Sequence, residues 1–191
     1  MNGLTIFQKI GLAIDQRYIK KAGAEPVSGS KYNVLLVCFH PYHGQTSLKL
    51  AGEVVINPAD QVGELHFSNY RVAELGKEKS SRTMEWRLLE ILKEEFAALA
   101  KACSSGEIAP EMKAFYGVNV LVAGAKRLGF TLVPIPKGWN RWWLGFWETI
   151  LRIVFYSYKT KKKTSFQKTK DPFEVWITRE ELLKRYLPKD K

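Results

Sequence analysis

Apolar Ile6, Ile10 and Ile14 recur four residues apart, with Phe7 and Tyr18 nearby. That is the spacing of one helix face. Residues 1–21 therefore predict an N-terminal amphipathic helix, packed on the domain or lying on a surface. AGAEPVSGSK (22–31) is small and turn-rich and reads as a linker into a domain over residues 32–187. KYNVLLVCFHPYHG predicts a strand near Tyr32 to Phe39, ending at Pro41 and Gly44. Its nearly unbroken apolar run places that strand inside a sheet. TSLKLAGEVVI predicts two short strands meeting near Gly52, and Asn57-Pro58-Ala59-Asp60 a turn. QVGELHF predicts a further strand, with Val62, Glu64 and His66 on one face and Leu65 and Phe67 closer to the other.

From Met84 the apolar positions Leu88, Ile91, Leu92, Phe96 and Leu99 follow the helical period. A helix capped by Ser80 or Ser81 and running to about Ala102 is expected, ended by Ser104-Ser105-Gly106. AFYGVNV reads as a strand, LVAGAKRLG as a helix broken at Gly129, and FTLVPIP and FEVWIT as strands. Thr178-Arg179-Glu180-Glu181 is a capping box that opens a last helix, EELLKRY. Hairpin-length connections early in the chain favour an α+β fold: one domain with a mixed or mostly antiparallel sheet packed with helices.

The segment Trp142 to Tyr158 changes this picture. On a helix, Arg141, Gly145, Glu148 and Arg152 form one narrow polar stripe, and all else is broad and apolar. A membrane span needs about 20 largely apolar residues, and these charges sit too near the middle for one. The next twelve residues hold six lysines. Charge is concentrated here: residues 137–170 carry nine Lys or Arg against Glu148 alone, whereas the rest of the chain carries 21 against 18. Such a field suits an anionic partner. Two readings stand beside each other. In one, Trp142, Trp143, Phe146 and Trp147 sit in a membrane interface, where an apolar ring and a polar N–H are both satisfied. Lys159, Lys161, Lys162 and Lys163 then touch anionic lipid, at about 1 kcal/mol per lysine, and Phe166 inserts its ring. In the other, the helix is core and the lysines keep a loop soluble. Nucleic acid is not expected, because base stacking needs exposed rings beside the cations and no zinc-finger or RNA-binding signature is present.

Candidate chemistry is sparse. The chain has two cysteines, Cys38 and Cys103, and three histidines, His40, His43 and His66. Two cysteines make no disulfide framework, so both are expected to be free thiols in a reducing compartment. The N-terminus lacks the layout of a signal peptide. Cys38 and His40 share one strand face and His43 lies in the following turn. If the strand of His66 is adjacent, the four form a metal or acid–base cluster; otherwise His66 is a structural hydrogen-bonding residue. The expectation is no bound metal and no cofactor. Nucleophile-elbow, Walker, dinucleotide and HExxH motifs are missing. RLGF (127–130) is reminiscent of the closing element of acetyltransferases, but Gly117-Val118-Asn119 and Gly124 do not supply the pyrophosphate turn those enzymes use.

VGELHFSN (62–69), GVNVLVAGAKRLGF with Pro134 (117–134), the WW-x2-FW pattern (142–147) and DPFEVWITREELLKRY (171–186) together resemble the YkoP-like family of bacterial proteins. That family occurs as single proteins and as a domain attached to polysaccharide deacetylases. The resemblance implies a bacterial source and a connection to the cell envelope. It implies no deacetylation, because the metal-binding motifs of that enzyme are missing. His66 and Asn69, which match the family's LH-x2-N element, are the catalytic candidates that it suggests. The leading expectation is an accessory domain, cytoplasmic or peripheral on the inner membrane face, bound to an anionic membrane surface or an envelope enzyme. The competing expectations are an enzyme on an envelope-linked or acyl substrate, with His66 as acid or base and Asn69 or Arg127 positioning an anion, and a protein-interaction module.

Overall fold

A computed structural model describes residues 6–75, 84–119, 122–135 and 173–188. The expected Trp-rich helix and lysine loop lie outside them, as do the contacts expected of Trp142, Trp143, Phe146, Trp147, Phe166 and the lysines. The chain begins with α1 (Ile6–Ala22), β1 (Glu25–Pro26), β2 (Leu35–Pro41), β3 (Leu48–Lys49), β4 (Val55–Ile56) and β5 (Gln61–Phe67). Two helices follow, α2 (Asn69–Leu75) and α3 (Met84–Ser104), then β6 (Ala114–Asn119), α4 (Val122–Arg127), β7 (Thr131–Pro134), β8 (Phe173–Thr178) and α5 (Arg179–Tyr186).

Six strands form one sheet in the order β1-β2-β5-β6-β8-β7. Every neighbouring pair is antiparallel except β5 and β6. That parallel pair needs a long crossover, which α2 and α3 supply. The result is the mixed, mostly antiparallel α+β domain expected from the pattern.

The two faces of the sheet differ in chemistry. One carries Leu35 and Val37 of β2, Phe115 of β6, and Val175 and Ile177 of β8, all buried. Ile91, Leu92, Phe96 and Leu99 of α3 and Leu182 of α5 close over them to make the main core. Gly63 of β5 belongs here because the Phe115 ring occupies the place of its side chain: a Cβ would meet that ring at 2.4 Å. The opposite face has a smaller apolar cluster, where Leu50, Ile56, Val62, Ala114 and Trp176 pack under the β3–β4 hairpin. That hairpin turns at Gly52, whose φ of 71° suits glycine.

Three local expectations are revised. Glu25 and Pro26, within the expected linker, pair with Val37 and Leu36 as a short edge strand. On α1 Leu12 and Asp15 are buried, whereas Ile14, on the expected apolar face, is 44% exposed. Strand β2 begins at Leu35 rather than Tyr32, because the backbone before it is held by a buried carboxylate.

That carboxylate is Glu95 of α3, fully buried at 0% exposure. It accepts hydrogen bonds from the Ser30 hydroxyl at 2.6 Å and from the backbone N–H groups of Tyr32 (3.1 Å), Val34 (3.1 Å) and Leu35 (2.9 Å). Ser30 Oγ in turn accepts from the N–H of Asn33, a residue with φ of 51°. Hydrogen bonds to a charged acceptor contribute about 1.5–3 kcal/mol each, and orphaned buried donors are costly. Glu95→Ala is therefore expected to lower the unfolding free energy in urea by about 3–5 kcal/mol, and Ser30→Ala by about 1 kcal/mol. A loss under about 1 kcal/mol for Glu95→Ala would show that the carboxylate is not the anchor.

Candidate functional site

The polar side chains of the sheet gather on the face away from α3. Register explains how. Cys38 of β2 lies directly opposite Glu64 of β5, His40 opposite Val62 and Leu36 opposite His66. Paired residues share a face, and every second residue returns to it. Cys38, His40, Glu64 and His66 therefore project together, joined by Tyr116 of β6, the partner of Glu64. The condition set by the sequence, that the strand of His66 lie beside that of Cys38, is met.

The contacts are specific. His66 Nε2 lies 3.6 Å from Cys38 Sγ and 3.6 Å from Glu64 Oε1. Glu64 Oε2 lies 4.0 Å from Cys38 Sγ and 3.4 Å from His40 Nε2. The Tyr116 hydroxyl is 3.1 Å from His40 Nε2. His40 Nδ1 is 2.8 Å from the carbonyl oxygen of Pro41. A carbonyl only accepts, so Nδ1 carries the hydrogen, and in the neutral ring Nε2 accepts from Tyr116. The side chains of His40, Glu64 and His66 remain 21%, 22% and 12% exposed, so solvent reaches the cluster.

The surroundings bias each group. Burial opposes ionisation of Glu64, but the hydrogen bonding and charge of His66, with those of His40, outweigh it and hold the carboxyl below its ordinary pKa. Burial pushes the Cys38 thiol up, and the Glu64 charge pushes it further. Cys38 beside this carboxylate is therefore a neutral thiol, not an activated nucleophile. Burial, then the charges of Glu64 and Glu174, drive the Tyr116 phenol far above its ordinary value, which keeps it a donor.

Aromatic packing fixes the floor. Tyr116 stacks on Trp176 with ring centroids 4.5 Å apart, and Trp176 donates its indole N–H to Glu174 at 2.9 Å. His43 is exposed and stacks on His40 at 5.0 Å. Tyr18 of α1 meets the His66 ring edge-on at 5.7 Å. Asn69 heads α2, where its partner is Asp15 of α1. It thus ties the two helices together beside the cluster. Burial raises the pKa of Asp15 against the effect of that hydrogen bond. Arg127 is exposed at the end of α4. A shallow groove of about 330 Å³ beside α3, lined by Gly29, Lys31, Glu94, Ala97, Ala98 and Lys101, lies away from this chemistry.

Glu64 and Tyr116 were not among the sequence candidates. Glu64 had a usable signal, an acidic residue sharing the face of His66 in an internal strand. Tyr116 had none, since its place depends on the parallel pairing of β5 with β6. Both cysteines are free, as expected. Among the described residues no helix is long and apolar enough to cross a membrane.

Because the fold keeps the Tyr116 proton more tightly than the unfolded chain does, its stabilising effect is complete below pH 10.0 and is lost as pH rises toward the folded value. Wild type is expected to lose urea stability relative to Tyr116→Phe between about pH 9 and about pH 11. A constant difference across that range would contradict the assignment.

The sequence model of the YkoP domain matches residues 5–186, nearly the whole chain and α1 with it. No curated protein and no solved structure matches the chain.

Proposed function

The chain belongs to the YkoP domain family, and for it we propose an enzyme that performs acid–base chemistry on the polar face of the sheet, acting on an acyl or related group of a cell-envelope substrate. One observation carries the reading: His40, Glu64, His66 and Tyr116 converge from three strands and face one another, rather than being paired off singly by backbone. A His66 buried among apolar groups with both nitrogens held by backbone would have spoken for a purely structural role; its Nε2 instead faces Glu64 and Cys38.

In this reading His40 is the proton carrier. The Pro41 carbonyl fixes its tautomer, and Nε2 is the reacting nitrogen. Glu64 stabilises the imidazolium that forms when His40 takes a proton from water or a substrate hydroxyl. Neutral Tyr116 holds Nε2 through its O–H until substrate displaces that bond, and then donates toward the oxygen that gains charge. His66 orients the Glu64 carboxylate from its other side. The envelope connection rests on the family resemblance, in which this domain accompanies polysaccharide deacetylases. Purified protein offered chromogenic acyl esters and acylated amino sugars is expected to turn over at least one. His40→Asn and Tyr116→Phe should each lower kcat by about 100-fold, and the neighbouring His43→Asn should leave it unchanged. Turnover that survives both substitutions, or none across the panel, would reject the reading.

A second reading concerns where the enzyme works. The charge concentrated between residues 137 and 170 supports docking to an anionic membrane surface. Such docking weakens with salt, since exposed charges are screened over about 10 Å at 0.1 M. The protein is expected to sediment with phosphatidylglycerol vesicles at low salt and not with neutral ones. Replacing Lys161, Lys162 and Lys163 by Gln should reduce the bound fraction severalfold. Equal binding to neutral vesicles, or indifference to the substitutions, would remove this reading.

A further inference from the structure

We propose that Cys38, Glu64 and His66 bind a zinc-like divalent transition-metal ion. The inference deepens the enzymatic reading of the same site; it rests on that reading for the use of the ion, not for its binding. It departs from the expectation of a metal-free protein drawn from the sequence.

The spacing is the first argument. Direct N–H···O hydrogen bonds measure about 2.7–3.2 Å. Here Cys38 Sγ to His66 Nε2 is 3.6 Å and His66 Nε2 to Glu64 Oε1 is 3.6 Å, while Cys38 Sγ lies 4.0 Å from the other carboxylate oxygen, Oε2. The nitrogen–oxygen pair is long for a direct hydrogen bond, and the two distances from His66 Nε2 suit atoms arranged round a shared centre. With metal–sulfur bonds of about 2.3 Å and metal–nitrogen or metal–oxygen bonds of about 2.0 Å, a tetrahedral centre separates its ligands by about 3.3–3.6 Å. One ligand atom from each residue fits within 4.8 Å of the other two, so small side-chain adjustments complete the set.

The donor set is the second argument. A thiol, an imidazole and a carboxylate together select a borderline ion such as zinc over calcium or magnesium, which take oxygen ligands.

The scaffold is the third. Cys38 and Glu64 are a cross-strand pair in the interior of the sheet, and His66 stands two residues along β5 on the same face. Strand backbone, not loops, thus fixes all three, which keeps the cost of assembling the site low. Three protein ligands leave a position for water or substrate, the pattern of catalytic rather than structural zinc. Glu64 and His66 are exposed enough for that position to be reached. His40 and Tyr116 stand outside the ligand set, next to Glu64, and remain free to move protons.

The full chain, stripped with chelator and checked by circular dichroism, is titrated with Co²⁺. One equivalent is expected to bind at micromolar concentration with a thiolate-to-cobalt charge-transfer band, and Zn²⁺ should displace it. Cys38→Ser should abolish the band, and Glu64→Gln and His66→Ala should each weaken binding at least tenfold. Cys103→Ser, behind the sheet, should change nothing. No Co²⁺ or Zn²⁺ binding by wild type, or a band that survives Cys38→Ser, overturns the proposal, and the wild-type titration decides even if a variant fails to fold. Turnover unaffected once the ion is stripped would overturn its use in catalysis while leaving the acid–base enzyme standing, whereas metal binding without turnover would support the site and reject the enzyme.

Discussion

The buried Glu95 carboxylate is the interaction on which the rest of this fold turns. It collects three backbone N–H groups and a hydroxyl from the segment entering β2, so it fixes where that strand starts. Side chains alternate along a strand, and a slip of one residue sends each to the other face. With Leu35 held against Glu95, Leu35 and Val37 face the core while Cys38 and His40 face outward. A buried charge in the core is costly unless fully hydrogen-bonded. Here the bonding is provided by backbone donors that the strand start would otherwise leave unpaired, so one group answers the other's need.

From that anchor the sheet acquires two unlike faces. The face under α3 and α5 is apolar and densely packed around Phe96, Phe115 and Ile177. The other carries a cysteine, a glutamate, two histidines and a tyrosine within one patch, with a small apolar cluster beside it among the described residues. Placing a carboxylate, a thiol and two imidazoles on interior strands gives up apolar burial that aliphatic residues would supply. Departures of this sort from good packing concentrate at functional sites. The apolar face makes the departure tolerable, because its core does not depend on what the polar face carries.

The site's electrostatics follow from the same placement. Glu64 lies between two imidazoles, which keep it ionised despite its burial. Its charge then acts outward, raising the thiol of Cys38 and adding to the burial that keeps Tyr116 neutral. In both, burial acts first and the charge of Glu64 adds to it, and the register of β2 on β5 decides that Glu64 meets Cys38. Arg179 performs a comparable service on the core side, where its guanidinium donates to the carbonyls of Cys103, Ile108 and Ala109 and fastens the end of α3 to the start of α5.

What the sequence determined by itself were the elements whose cause is local. QVGELHF alternates and is strand β5 over those seven residues. The Met84 helix follows its apolar period, Thr178 caps α5 by accepting from the Glu181 N–H, and the Asn57–Asp60 turn closes through its own side chain. The sharing of one face by Glu64 and His66 was legible for the same reason. The tertiary structure alone decided which strands became neighbours. The parallel pairing of β5 with β6 spans the whole α2–α3 crossover, so nothing near Tyr116 could announce its place beside His40. The late start of β2 was likewise set by a distant partner, Glu95, whose pull outweighs the local apolar pattern.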